Sequence, residues 1–463
     1  MAALDDRNGC ALHGALALLD AVEGIVPILH ASAGCGVAGN VATAALAGLS
    51  ASPLAAGGET SSTVLHEKQV VFGGTSRLRE QIKNTVKVHA GDLYVVASGC
   101  VPEVVGDDVP AMVKEAREQR FPVLSLAAPG FKGSAWSGYA LAARALLDQL
   151  PALLPPTAAG PAPDVNLFGI VPGRDPGWDG DLLEIEALLA EAGVRANRLL
   201  GWGQGVEAWR EAPRARASVV LSPWGAPAAA LLAERHGTPI VDLGFVPVGS
   251  RDAGLLVERV AAALALPQGT LDAARARLDG RLRHFLGKAA ATLLLADVQK
   301  RTAVVGPSAT AVGQARFLAG TLGQLVERVV ITDEPAADRR AALAAAVREE
   351  AGAGVEVLFQ ACRGEIEALL RRSGPELVLG SALERAGAQG GGAALVEGAG
   401  PVRRSPILRR SLAGVDGAIR LVEEIIASLR ALPVVEPPVE RAGHEAPSLH
   451  PCNPVQATQN RGG

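Results

Sequence analysis

Asp92-Leu93-Tyr94-Val95-Val96-Ala97, then a helical pattern from Pro110 to Gln119, then Pro122-Val123-Leu124-Ser125-Leu126, is the stretch that decides the fold of this chain. Leu93 to Ala97 is an unbroken apolar run, rich in β-branched and aromatic side chains and of strand length. A strand apolar on both faces belongs inside a sheet that is covered on both sides. The helical pattern before the next strand supplies that cover, so the unit reads as a parallel sheet flanked by helices.

The alternation restarts twice. Val165 to Ile170 is a strand after the linker-like stretch Leu154 to Asp164; a helix from Asp181 to Ala192 and strands at Ala217–Leu221 and Ile240–Leu243 follow. After a long helical stretch from Leu271 to Ala290, strands are expected at Thr302–Val305, Val329–Thr332, Val355–Phe359, Leu377–Leu379 and Ala394–Val396. A closing helix is expected at Ala418–Arg430. The expected architecture is α/β, with three Rossmann-like units at 1–155, 156–290 and 291–432. Apolar periodicity stops in 433–463, which reads as an irregular tail. A length of 463 residues agrees with about three domains at roughly 150 residues each.

Composition narrows the function classes. The chain is 49% hydrophobic and 3% aromatic, so its core must be built from small aliphatic side chains. A net charge of −4 leaves no basic footprint for nucleic acid. No apolar run is long enough for a membrane span, and Met1 to Cys10 has no apolar signal region. A cytoplasmic protein is expected. There thiols stay reduced, and five cysteines in this length are no disulfide scaffold.

Several signals fail. No Gly-x-x-x-x-Gly-Lys-Ser/Thr loop is present, so ATP hydrolysis by this chain is not expected. Gly201-Trp202-Gly203-Gln204-Gly205 lacks dinucleotide-loop spacing and reads as a plain loop. No Cys-x-x-Cys or His-Glu-x-x-His occurs.

What remains is Cys10, Cys35 and Cys100, which lie 25 and 65 residues apart in the first unit. Each sits against glycine: Gly9-Cys10, Gly34-Cys35-Gly36 and Gly99-Cys100. Cys100 and Cys35 follow expected strand ends, where ligands gather in open α/β sheets, and Cys10 precedes a helix from Ala11 to Ala21. Glycine lets backbone approach a bulky group and offers N–H donors to cluster sulfides. Two readings stand at this point: three thiolate ligands of an iron–sulfur cluster, or three buried structural cysteines.

The flanking residues favour the first. Pro27-Ile28-Leu29-His30-Ala31-Ser32-Ala33-Gly34-Cys35, Val71-Phe72-Gly73-Gly74 with Arg77-Leu78, Gly99-Cys100-Val101-Pro102-Glu103-Val104-Val105-Gly106-Asp107-Asp108, and Pro129-Gly130-Phe131-Lys132-Gly133 with Gly138-Tyr139 resemble ordered motifs of the nitrogenase component 1 family. Weaker likeness continues at Leu221-Ser222-Pro223-Trp224-Gly225, Gly237-Thr238-Pro239 and Ile331-Thr332-Asp333, from Cys10 to about Arg430. The resemblance implies three Rossmann-like units around a cleft. It implies an [8Fe-7S]-type cluster (P-cluster type) shared with a homologous α-type partner in an α2β2 heterotetramer, with Cys10, Cys35 and Cys100 as this chain's ligands. It also implies Gly34, Gly99 and Gly130 as cluster-approaching positions, and electrons from a separate ATP-hydrolysing [4Fe-4S] iron protein.

An α-type subunit anchors the catalytic cofactor through a Cys in its second unit and a His in its third. Here no Cys lies near Leu221-Ser222-Pro223 and no His between Leu377 and Arg430, so the chain resembles a β-type, electron-relaying subunit. Molybdenum nitrogenase β-subunits carry Ser where this chain has Gly130, and only nine residues precede Cys10 here. Arg77 to Thr85 looks closer to methylthio-alkane reductases, which cleave C–S bonds, and that is the expected function. A dinitrogen-reducing β-subunit and a non-catalytic scaffold for cofactor assembly are the alternatives.

The remaining candidates have ordinary readings. Asp107 and Asp108 are expected to cap the helix at Pro110. His30 is either a satisfied core histidine or a neighbour of the cluster. Trp136 and Tyr139 are expected in the core, Glu67 and Lys68 at a helix start or in an intersubunit pair. Cys362 reads as structural and Cys452 as incidental.

Overall fold

The computed structural model describes residues 7–36, 38–39, 48, 60–157, 160–295 and 299–431. The tail with Cys452 lies outside the described residues.

The first sheet holds β1 (Ile25–His30), β2 (Ser61–Ser62), β3 (Leu93–Ser98) and β4 (Val123–Ala127), all parallel, in the order β2-β1-β3-β4. Every residue of β3 is buried, as its unbroken apolar run requires. β2 escapes a sequence reading because two serines carry no periodicity. One face of the sheet is covered by helices Thr75–Val88 and Val109–Glu118. Their stripes of Leu78 and Ile82, and of Val109, Val113 and Ala116, pack on Ile28, Tyr94, Val96 and Val123. Each large aliphatic side chain so buried contributes about 2 kcal/mol. The other face carries helices Ala11–Asp20 and Ala135–Leu153.

The second sheet is β5 (Val165–Phe168), β6 (Ala196–Asn197), β7 (Ala217–Val220) and β8 (Ile240–Asp242), in the order β6-β5-β7-β8. The third is β9 (Arg301–Gly306), β10 (Leu325–Ile331), β11 (Glu356–Phe359), β12 (Leu377–Gly380) and β13 (Ala394–Glu397), in the order β11-β10-β9-β12-β13. In all three, strand order reverses beside the first strand, and the crevice at such a switch point is where α/β sheets bind ligands.

The closing helix, Gly414–Arg430, returns to the second unit and lies against helices Trp178–Glu191 and Gly249–Leu264. Asp181 fixes this return by accepting from Leu412 N–H at 2.6 Å, Ala413 N–H at 2.9 Å and Ser411 Oγ at 2.9 Å. Among the described residues no helix is long and apolar enough to cross a membrane.

Candidate functional site

The candidate site grows from the switch point of the first sheet. β1 and β3 run in register to His30 opposite Ser98, and Gly99 N–H donates to the His30 carbonyl at 2.9 Å. The two strand ends are therefore held side by side. Cys100 opens the helix Cys100–Val105, and Cys35 lies in a helical stretch that begins at Ala33. Just past β4, Gly130 opens a single turn, Gly130–Lys132, and its N–H donates to Cys100 Sγ at 3.1 Å.

Cys10 comes from the segment just ahead of the first helix. It sits in extended conformation at the N-cap of helix Ala11–Asp20, beside the turn at Gly130. The point where a Gly130 Cβ would sit is 3.3 Å from Cys100 Sγ, 3.4 Å from Cys10 Cβ and 3.9 Å from Cys10 Sγ. Bare backbone at Gly130 thus lies between two cysteines. Burial pushes the Cys10 thiol up, and the His13 and Leu12 N–H groups of the first helical turn, with Arg174, oppose that rise. Burial also pushes Cys35 up, and the nearby Cys10 and Cys100 thiols push it further.

The three expected glycines divide. Gly130 touches the cysteines. A Cβ on Gly99 would meet Ala31 Cβ at 2.9 Å, so that glycine serves the close packing of β1 and β3 ends. A Cβ on Gly34 would meet nothing within 4 Å.

The segment before Cys10 is clamped by all three units. Asn8 accepts from Trp136 Nε1 at 3.1 Å and donates to the Thr332 carbonyl at 3.2 Å. Arg7 pairs with buried Glu384 at 2.6 Å, and Arg174 donates to the Arg7 carbonyl at 3.3 Å. Arg7, Asn8, Arg174 and Glu384 were not expected from the sequence. Arg174 lies beyond a strand end, which is a positional hint, but its burial is invisible without the fold.

The remaining expectations resolve by geometry. His30 is fully buried, with Nδ1 3.0 Å from Thr63 Oγ1 and Nε2 3.1 Å from Asp107 Oδ2, a satisfied core histidine. Its pKa is lowered by burial, against the pull of Asp107. Asp108 caps its helix, accepting from Ala111 N–H at 3.0 Å. Asp107 does not: it turns inward to His30 and accepts from Gly74 N–H at 2.7 Å, tying the Gly73-Gly74 turn to the site. Trp136 and Tyr139 are core residues, the latter accepting from Gly169 N–H at 2.9 Å. Glu67 opens helix Glu67–Phe72. Cys362 is exposed at the N-cap of helix Arg363–Ser373 instead of packed in the core.

Among the described residues no three His, Cys, Asp or Glu side chains are placed to chelate a single ion. Two thiols on either side of the Gly130 backbone, with Cys35 within charge range of both, suit a polynuclear iron–sulfur group better than a single ion, and the Gly130 N–H is a donor to such a sulfur site. The donor set therefore fits a cluster.

The family description "Nitrogenase component 1 type Oxidoreductase" matches residues 10–430. The chain belongs to this family. Within the nitrogenase component 1 type family, a relative from Bradyrhizobium diazoefficiens, the nitrogenase iron-molybdenum cofactor biosynthesis protein NifE, is 33% identical over 59% of this chain and 49% of its own length. The nitrogenase molybdenum-iron protein beta chain of the same organism is 24% identical over 41% of this chain and 40% of its own. The chain spans about half the length of the curated relatives it matches. A solved structure described as "Nitrogenase Cp1 at pH 6.5" superposes with a TM-score of 0.75 at 17% identity, covering 93% of this chain and 94% of that one. That likeness carries the α/β fold.

Proposed function

We propose that this chain is one part of a scaffold on which a nitrogenase-type metal cofactor is assembled. In this reading Cys10, Cys35 and Cys100 hold an iron–sulfur cluster at a face covered by a homologous partner. The observation that carries the proposal is kinship: the 33% identical relative is named a cofactor biosynthesis protein, while the nitrogenase molybdenum-iron protein beta chain matches at 24% over a smaller share.

The site supports it. A chain that performs catalysis itself needs anchors for a catalytic cofactor, and the second unit offers Ser222 where a thiol is wanted. Ser222 is fully buried, its Oγ donating to the Gly169 carbonyl at 2.5 Å. Exposed apolar side chains on the elements around Cys100 support a partner face there: Phe72 is 81% exposed, Val104 75% and Phe131 64%. A cleft of about 600 Å³ is lined by Lys132, Arg144, Trp224, Arg339 and Asp338, with Arg339 paired to Asp242 at 2.6 Å. Lys132 and Arg144 leave it a positive balance that suits anionic cargo.

A second reading is an electron-relaying β-type subunit of a nitrogenase-like reductase, fed by an ATP-hydrolysing iron protein. Its support is the likeness to the beta chain. Reduction of methylthio-alkanes would be one version of it, and nothing in the comparisons favours that substrate over dinitrogen. One experiment separates the readings. The chain, purified anaerobically with its genomic neighbour as partner, is assayed for restoring activity to cofactor-deficient nitrogenase component 1. It is also assayed for turnover of dinitrogen or a thioether with iron protein and ATP. Restoration without turnover is expected; turnover without restoration would overturn the scaffold reading.

A further inference from the structure

Arg174 is a cation in the wrong place for an ordinary structural arginine. It is 3% exposed, in the loop between β5 and helix Trp178–Glu191, and among the described residues it forms no ion pair with a carboxylate. Among the described residues its one side-chain hydrogen bond is the 3.3 Å contact to the Arg7 carbonyl. Asp175, next in sequence, turns away to the Val171 N–H at 2.8 Å and to Thr310 Oγ1 at 3.4 Å. The guanidinium instead lies flat against the backbone just before Cys10. A Cβ on Gly9, which has φ +56°, would meet its Nη2 at 2.8 Å. The groups whose charge it affects are the Cys10 thiol and the His13 ring, and burial has already lowered its own pKa to about 10.

A buried charge without a partner costs several kcal/mol, so it persists where an opposite charge meets it. Among the described residues, the acidic group within charge range of Arg174 is the Cys10 thiol, which as a thiolate, with whatever it binds, supplies that opposite charge. We infer that Arg174 is the fixed counter-cation of the cluster held by Cys10, setting its reduction potential and its retention. The inference rests on the cluster-holding reading of Cys10, Cys35 and Cys100. It also accounts for Gly9, whose missing Cβ makes the space that the guanidinium fills.

The test uses the full chain with its partner, purified anaerobically, in three forms: wild type, Arg174→Lys and Arg174→Met. Iron content and the midpoint potential of the cluster, followed by electron paramagnetic resonance during a mediated titration, are read for each. Arg174→Met should shift the potential negative by at least the equivalent of a tenfold loss of electron affinity, ~59 mV for one electron, or lose iron. Arg174→Lys, which keeps the charge and loses the planar fork, should stay near wild type. Unchanged potential and iron in both variants overturns the inference. Equal loss in both also overturns it, since that marks Arg174 as a prop for the Arg7 carbonyl and not a charge. A wild type without iron overturns the cluster reading itself, and the inference with it.

Discussion

Gly14→Ala tests the packing that brings Cys10 to the site. Gly14 faces helix Ala135–Leu153, and Gly138 on that helix faces Ala11 in return. A Cβ at Gly14 would lie 2.7 Å from Ala135 Cα and still closer to its carbonyl, where carbon–carbon contact needs about 3.5–4.0 Å. The helices must part by about 1 Å. They are not free to do so, because Ala11 N–H donates to the Gly133 carbonyl at 2.9 Å and Ala135 N–H to the Asn8 carbonyl at 2.8 Å. Two opposed effects decide the outcome. Alanine in a helix gains about 1 kcal/mol over glycine. Overpacking against unyielding backbone costs about 3 kcal/mol, and the two strained hydrogen bonds add about 1 kcal/mol each. The net expectation is a loss of roughly 2–4 kcal/mol. Gly280→Ala is the matched control: it sits in helix Gln268–Leu295, a Cβ there meets nothing within 4 Å, and it should gain about 0.5–1 kcal/mol. Denaturant unfolding of both variants measures this, with iron content as the second readout. Gly14→Ala as stable as Gly280→Ala would refute the reasoning.

Two further perturbations probe buried charge. Burial, with Asp181 and Asp333 nearby, raises the Asp175 pKa from 3.8 to about 7. A raised carboxyl gives stability that is full below about pH 4 and is lost as pH rises through 7. Asp175→Asn can keep its oxygen for Val171 N–H and turn its amide to Thr310, so between pH 5 and 7 wild type should lose about 2 kcal/mol relative to the variant. Parallel pH profiles of the melting temperature would contradict this. Arg316, 3% exposed, donates to Asp252 at 2.9 Å, Glu349 at 2.8 Å and the Ala346 carbonyl at 2.6 Å. Arg316→Met strands buried Asp252 and should cost about 3–5 kcal/mol in denaturant unfolding, while a cost below 1 kcal/mol would show that the carboxylate finds water or another partner.

Much of the fold is written in local pattern. Leu93 to Ala97 could only be an inner strand, and the strand that formed there is buried along its whole length. The three cysteines could be singled out because each stands next to glycine at an element's end. Local pattern misjudged Asp107, since a carboxylate before a helix looks like a cap whether or not a buried histidine waits across the sheet. It gave equal weight to Gly34, Gly99 and Gly130, whereas the approach of Gly130 to the distant Cys10 and Cys100 exists only in the folded chain.

The sequence by itself determined the α/β fold and the family, and singled out three glycine-flanked thiols as candidates, because strand and helix periods and short motifs are properties of neighbours along the chain. Only the tertiary structure decided that Cys10, from the edge of the unit, meets Cys100 across the Gly130 turn, and that Arg174 from the second unit closes over Gly9. Those contacts join residues far apart in sequence, and burial and charge pairing exist only once distant elements have packed.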